Sequence, residues 1–338
     1  MTAPAPLPLP AITQEPPTRP PGRSAPTIPP EFLEAYHEPH TGRHLRRLVE
    51  FVAIYVASAA LTIALAERLA GPFGWFLLAP LCLLSAAALH GISLFTHEAV
   101  HGTLCRNRVL NDVLGAVCAL PVLQNGSAYR VLHLRHHRHL GEDGDPDHYE
   151  NYTRWSWMVF LMNWLRLLIG YPVYIVAIPI LGFRYGSAAQ RVGIVAEVVA
   201  LGVLAAAIWC SPVPRMWLVW GWLVPMLIIN TLVNFRGMSQ HTLLEEASDE
   251  VRGTRSILTG PVVRYFMCNE NFHLEHHLYP GVPWHRLPEV HAWLKPELER
   301  RGAPYIPSYT AFVVEFIKGS IARSPWGRRS ARPPAQLP

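Results

Sequence analysis

The chain has 338 residues, half of them hydrophobic and only 16% charged, with a positive mean hydropathy and a formal net charge of +5 at pH 7. This composition excludes an ordinary soluble domain of that length, and apolar runs of about 20 residues indicate helices that cross a bilayer. The basic residues cluster at the ends of these runs, so we assign them to lipid headgroups and topology and not to nucleic acid. Five cysteines without a CxxC pair favour neither a disulfide framework nor a zinc ribbon.

The N-terminal part begins with a Pro-rich segment, residues 1–30, which we predict to be disordered. Arginines that include Arg46 and Arg47 then precede Leu48–Leu69, the first predicted membrane span. The positive-inside rule places the start of this span on the cytoplasmic side. The second span, Phe73–Phe95, returns the chain to that side.

The middle of the chain is less regular. Val113–Leu123 is apolar but too short to cross a bilayer, so we predict that it lies in the membrane interface or dips into the protein. Trp155–Gly182 is longer, but Arg166, Pro172 and Pro179 interrupt it, and tryptophans stand near its start. This pattern favours a segment that lies in the membrane interface, with a short spanning hairpin as the alternative.

Two further predicted spans, Gly193–Cys210 and Met216–Phe235, make the number of crossings even. The chain therefore ends on the side where it began. Two short helices, over Glu289–Arg301 and Tyr309–Ile321, complete the chain before a basic tail.

The predicted architecture is an all-α membrane protein with four transmembrane helices in two hairpins and a cytoplasmic helical cap. Residues 31–322 form the membrane domain. They lie between the Pro-rich tail of residues 1–30 and a basic, disordered tail of residues 323–338.

Histidines are concentrated in three clusters, HEAVH, HLRHH and HLEHH, and their topology places all three on one face of the membrane. Residues three or four positions apart share one face of a helix, so each cluster aligns its imidazoles. The aligned histidines are His97, His101, His133, His136, His137, His273, His276 and His277. Eight imidazoles exceed what one ion binds, and imidazole suits Zn, Cu, Fe or Ni, so the pattern predicts a centre for two metal ions. His241, after the fourth span, is a ninth candidate ligand.

A single HxxxH is equally well explained as the polar edge of a membrane helix. Three clusters at helical spacing, brought to one side by an independent topology argument, favour the metal centre.

The sequence resembles the integral-membrane fatty acid desaturase and hydroxylase superfamily, whose three histidine motifs read HxxxH, HxxHH and HxxHH. The resemblance extends from about Leu48 to His291. The segments Arg106–Gly115, GEDGDPD at 141–147 and NFHLEHHLYPGVPWHRLPEVH at 271–291 are similar to bacterial fatty acid desaturases. DPDHY at 145–149 is also similar to carotenoid ring hydroxylases.

The resemblance implies that the nine histidines hold two iron ions, with O2 as the co-substrate for hydrogen removal from an unactivated C–H bond. It implies an acyl lipid or other long apolar substrate in a tunnel beneath the cap. It also implies an external electron donor, ferredoxin or cytochrome b5, because the sequence contains no CxxC-type cluster site or fused haem domain. The active site is expected on the cytoplasmic face.

Polar residues near the clusters are candidates to orient metal-bound imidazoles. They are Asp145, Asp147, Asn234 and Asn271, together with Glu98, and each is also a candidate helix cap. Several other histidines are left out of the ligand set: His37, His40, His44, His90, His139, His285 and His291.

Three alternatives to lipid desaturation remain, and the sequence argues against two of them. Carotenoid hydroxylation or ketolation would use the same ligands as desaturation, so the sequence does not separate them. HEAVH also matches HExxH of zinc proteases, but that chemistry needs only one further protein ligand and leaves two complete clusters unexplained. A metal transporter would need polar groups along the span interiors, which are nearly free of charge.

Overall fold

A computed structural model describes residues 27–69, 71–153 and 155–324, without the side chain of Glu31. Residues 1–26 and 325–338, most of the two predicted tails, lie outside the described residues. The described chain is mainly helical. Its helices are α1 (Pro30–Tyr36), α2 (Thr41–Ala66), α3 (Pro72–Val100), α4 (Arg108–Ala119), α5 (Gly126–Arg138), α6 (Ser156–Tyr185), α7 (Ala188–Cys210), α8 (Arg215–Leu218), α9 (Val224–His241), α10 (Pro261–Phe266), α11 (His273–Leu278), α12 (Leu287–Arg300) and α13 (Tyr309–Arg323).

Five helices are long and apolar enough to cross a membrane: α2, α3, α6, α7 and the continuous rod formed by α8, a π-helical turn at Val219–Leu223 and α9. This count exceeds the four spans that we predicted. The difference is α6, because the segment predicted as interfacial forms one helix of 30 residues despite Pro172 and Pro179. Length and composition therefore admit five crossings, or six if α4 and α5 form one broken span.

The apolar segment of residues 113–123, which we predicted to lie in the interface or dip into the protein, forms the end of α4 and the turn that leads to α5. The two helices meet at an angle of 103°. Side chains of Asn107 and Asn125 cap their N-termini by accepting backbone N–H groups. Gly115 allows α4 to lie directly against α3, since a Cβ there would come within 2.3 Å of the Cβ of Ala99. The pair therefore lies against the His-bearing end of α3.

The carboxylate of Glu197, in α7, fixes the start of α5. It accepts the backbone N–H of Ser127 at 3.1 Å and the hydroxyl of the same residue at 2.5 Å. A negative charge at a helix N-terminus is favourable, which explains a carboxylate within an otherwise apolar helix.

The C-terminal region packs over one end of the long helices. The apolar face of α12 supplies a buried cluster with Leu287, Val290, Leu294 and Leu298. Two short strands, β1 (Ser256–Ile257) and β2 (Tyr305–Ile306), pair in parallel. The two predicted C-terminal helices are present as α12 and α13, each within two residues of the predicted bounds.

Buried Glu275, in α11, joins these parts of the C-terminal region. Its carboxylate accepts the hydroxyl of Ser256 at 2.5 Å and that of Tyr305 at 2.7 Å, and it contacts Nδ1 of His291 at 2.5 Å. These contacts fix α11 against β1, β2 and α12. His291, which we left out of the ligand set, therefore joins α12 to α11.

Candidate metal centre

The nine candidate histidines lie at one end of the long helices and converge on one interior region. They come from four elements: the end of α3, the C-terminal half of α5, the last residue of α9, and α11. In each cluster the predicted helical spacing holds, except that His101 follows directly after the end of α3 as its C-cap.

Five of these histidines place one ring nitrogen each within 4.8 Å of one another. We call them the five-histidine group: His97, His101, His133, His137 and His276. Nε2 of His133 lies 2.9 Å from Nε2 of His101 and 3.1 Å from Nε2 of His137. Nε2 of His276 lies 3.3 Å from that of His137.

The other four histidines converge beside them. We call them the four-histidine group: His136, His241, His273 and His277. Nε2 of His241 lies 3.3 Å from that of His136 and 3.1 Å from that of His273. Nε2 of His277 is 3.1 Å from that of His273. The rings of His137 and His277 stack at 4.1 Å, so the two groups are in direct contact.

The donor arrangement fits a metal cation. Nδ1 of His136 faces a carboxylate and Nδ1 of His241 faces the backbone carbonyl of Gly253, which places the proton of each neutral ring on Nδ1. The Nε2 lone pairs then point at one another with no hydrogen to share, unless a cation lies between them. Burial also lowers the pKa of His276 and His277 well below the usual value, which keeps these imidazoles neutral and able to bind a metal.

Asp145 lies where the sequence predicted a carboxylate that orients a ligand. Its Oδ1 is 2.8 Å from Nδ1 of His136. Burial would raise the pKa of Asp145, but His136 and the backbone N–H groups of Gly141 and Asp147 hold the pKa below its usual value. The exposed carboxylate of Asp147 is farther, at 3.8 Å from His136.

The sequence interpretation missed Glu270. This carboxylate is 2% exposed and lies 3.2 Å from Nδ1 of His97 and 3.4 Å from Nδ1 of His273. Burial raises its pKa to about 7, although the nearby Arg236 guanidinium, at 3.7 Å, opposes that shift. The sequence feature that could have identified Glu270 is its place three positions before His273, close enough along the chain to contact that ring.

The hydrogen-bond partners that the described part of the chain gives Asn234 and Asn271 are not ligand histidines. Asn234 donates to the carbonyl of Asn230 at 2.7 Å and faces Arg166 of α6. Asn271 donates to the carbonyl of Ile257 at 2.9 Å. Their geometry is that of packing residues, which join α9 to α6 and the start of α11 to β1.

Other polar residues near the clusters also have local partners. Glu98 accepts the Thr103 hydroxyl at 2.7 Å and the backbone N–H of Trp284 at 3.2 Å. His139 caps α5 and packs against Gly144. Both residues therefore support the fold around the histidines.

A cleft of about 600 Å³ reaches His136 and His241 from the side of α6. Its lining combines polar residues, among them Asp147, Tyr149 and Arg166, with apolar ones such as Leu140, Val159 and Leu243. The apolar tunnel that we expected beneath the cap stays a prediction. The cleft borders the four-histidine group.

Comparison with known proteins agrees with this geometry. A family model described as fatty acid desaturase matches residues 73–309. Dihydrorhizobitoxine desaturase of Bradyrhizobium elkanii is 29% identical over 69% of this chain and 72% of its own length. The sn-1 oleoyl-lipid 12-desaturase of Arthrospira platensis is 23% identical over 63% of this chain and 67% of its own length. A beta-carotene ketolase of Paracoccus sp. is 27% identical over 68% of this chain and 85% of its own length.

The family model covers more than half of the chain and includes all nine histidines. The long apolar helices are those of a membrane protein, and the histidine groups have the geometry of sites that can bind metal. The chain belongs to the fatty acid desaturase family.

Proposed function

We propose that this protein is an O2-dependent oxidoreductase that inserts a double bond into the acyl chain of a lipid at a histidine-ligated diiron centre. The observation that carries the proposal is the convergence of nine buried or half-buried imidazoles into two adjoining groups. In this proposal the five-histidine group holds one iron ion and the four-histidine group holds the other. Zinc protease chemistry would leave at least five of these ligands without a role.

The two irons, when bound, would supply O2 activation and hydrogen removal from an unactivated C–H bond. Overall, a –CH2–CH2– unit loses two hydrogens, and O2 accepts four electrons, two from the substrate and two from a donor protein. With two further protons from solvent, the products are the alkene and two waters. An external ferredoxin or cytochrome b5 supplies that second pair.

The chain's own residues hold the ligands in place for this reaction. Asp145 fixes the ring of His136, and the carbonyl of Gly253 fixes that of His241. Glu275 holds α11, which contributes ligands to both groups. These contacts reduce the rearrangement that the centre would otherwise need during turnover.

We also propose four membrane crossings with the centre on the cytoplasmic face. In this proposal α6 lies along the cytoplasmic side, where Arg166 packs over Tyr149 in the loop after the second histidine cluster, and Arg135 of α5 lies over Tyr185 at the end of α6. A helix that stays on one side adds no crossing. Arg46 and Arg47, at the centre's end of α2, support the cytoplasmic assignment.

A beta-carotene ketolase-like oxidation is the second candidate. The similarity to the Paracoccus ketolase, which extends over 85% of that enzyme, favours it. The same nine ligands would serve that reaction, since the two outcomes differ in what happens after hydrogen removal.

Two measurements test the proposal. Metal analysis of the purified protein should give about two irons per chain, whereas one zinc without iron would contradict the diiron assignment. Lipid and pigment profiling of a host that expresses the gene should reveal new acyl double bonds. A host expressing His137→Ala is the matched control. Oxidised carotenoid with unchanged acyl chains would support the ketolase instead.

A further inference from the structure

We propose that Glu270 is a positioning residue shared by both metal positions, so that loss of its charge weakens metal binding at both together. This inference rests on the two-metal centre of the proposed function. It assigns a role to a residue outside the three histidine clusters.

Glu270 is the carboxylate that contacts both histidine groups. Its Oε1 lies 3.2 Å from Nδ1 of His97, which belongs to the five-histidine group. Its Oε2 lies 3.4 Å from Nδ1 of His273, whose Nε2 adjoins those of His241 and His277 in the four-histidine group. One rigid, 2% exposed side chain therefore orients one ligand for each metal position.

The chain order explains why a single residue can do this. Glu270 precedes His273 by three positions, so its contact with that ring is local. His97 is far away in sequence, at the end of α3, and reaches Glu270 only because the C-terminal region packs over that helix. The two metal positions are thus tied together by a tertiary contact between α3 and the start of α11.

Arg236 supplies the counter-charge for this arrangement. Its guanidinium lies 3.7 Å from Oε2 of Glu270, the oxygen that faces His273. A buried carboxylate needs such a partner because an isolated charge is costly to desolvate. The Glu270 carboxylate thereby lies between the Nδ1 atoms of His97 and His273, at ion-pair distances longer than the 2.8 Å hydrogen bond between Asp145 and His136.

Two other buried carboxylates provide matched controls. Asp145 contacts His136 alone among the nine histidines, so it serves the four-histidine group. Glu275 contacts Ser256, Tyr305 and His291 and none of the nine in the described chain. The three acids differ in contacting both groups, one group or neither.

The experiment compares Glu270→Gln, Asp145→Asn and Glu275→Gln as full-length proteins in detergent, each stripped of metal and titrated anaerobically with Fe(II). Iron stoichiometry and affinity are read by calorimetry and metal analysis, with thermal unfolding of each apoprotein in parallel. We expect E270Q to weaken both binding events by about 10- to 100-fold. D145N should weaken one event. E275Q, which acts through the position of α11, should lower the unfolding temperature most and weaken both events equally, by a smaller factor than E270Q.

An E270Q protein that loses one binding event, or that keeps both at wild-type affinity, would overturn the proposal. If E270Q does not accumulate, Glu270→Asp keeps the charge beside Arg236 but is too short to contact both rings. We then expect E270D to weaken one of the two iron-binding events. Wild-type affinity in both events would count against a positioning role for Glu270. A wild-type protein that binds no iron would instead refute the proposed function itself.

Discussion

The two histidine groups differ in what surrounds them. The five-histidine group lies among α3, α5 and α11, with His97, His133 and His276 buried and His101 and His137 half-buried. The four-histidine group borders the cleft through His136 and His241. Both groups contain half-buried members, but the cleft reaches ligands of the four-histidine group, so a reactant that enters the cleft would meet that group first.

The largest effect is expected from removing one ligand of each group, with His101→Ala and His241→Ala. Each should reduce product formation by more than about 100-fold, because the reaction needs both ions, and iron content should fall from about two per chain towards one. Retained activity in either variant would contradict the ligand assignment. If the groups differ as described, exogenous imidazole should restore H241A better than H101A, since His241 borders the cleft.

The next effect concerns the wall of the cleft. Gly141 has a positive φ of 65°, and a Cβ there would lie 2.4 Å from the carbonyl carbon of Ala247. Its N–H also donates to Asp145 at 2.8 Å. Gly141→Ala should therefore lower activity by about tenfold, as expected for disturbing a residue that orients a metal ligand.

The matched control for this change is Gly202→Ala, which meets open space on α7. Activity and iron affinity of the two variants are measured side by side. If G141A binds iron at the five-histidine group with unchanged affinity, the distinction between the two groups is strengthened. If iron affinity falls equally at both groups, the distinction is contradicted.

A smaller effect is expected at Asn234, which the sequence suggested as an orienting residue. Its contact with the Asn230 carbonyl instead joins neighbouring turns of α9 beside α6. Asn234→Ala should lower the unfolding free energy by about 1 kcal/mol, because it also removes the acceptor for Arg166 of α6 at 3.4 Å and hydrogen bonds between membrane helices are of that order. Iron titration should be unchanged, and loss of iron from either position would restore the earlier interpretation.

The smallest effect is expected from Tyr305→Phe. This change removes one of the hydrogen bonds to Glu275, at 2.7 Å, and should cost about 1 kcal/mol of stability or less. Because α11 supplies ligands to both groups, any drop in iron affinity should be equal for the two positions. Unequal loss, measured by the same titration, would mean that α11 does not hold the groups together.

The histidine clusters were predictable because their information is local. His133 and His137 lie one turn apart on one helix, and that spacing is readable without knowing what packs against it. Asp145 was also found, since it follows its partner histidine by nine residues along the same loop.

Residues that act across elements were not predictable in the same way. The contact of Glu270 with His97 depends on how the C-terminal region meets α3. Asn234 and Asn271 are near ligands in sequence, but the folded chain directs them to other backbone groups. The continuity of α6 over 30 residues was not predicted, because prolines interrupt a helix less where neighbouring helices satisfy the freed backbone groups.

The helix α11 has only six residues, far below the length at which an isolated helix is stable in water, yet it carries three of the nine imidazoles. Its conformation must come from the Glu275 contacts and from whatever the imidazoles bind. Newly made protein without iron would then present this part of the cap to cellular proteases, so the amount of enzyme in a membrane should follow the supply of metal as well as the transcription of its gene.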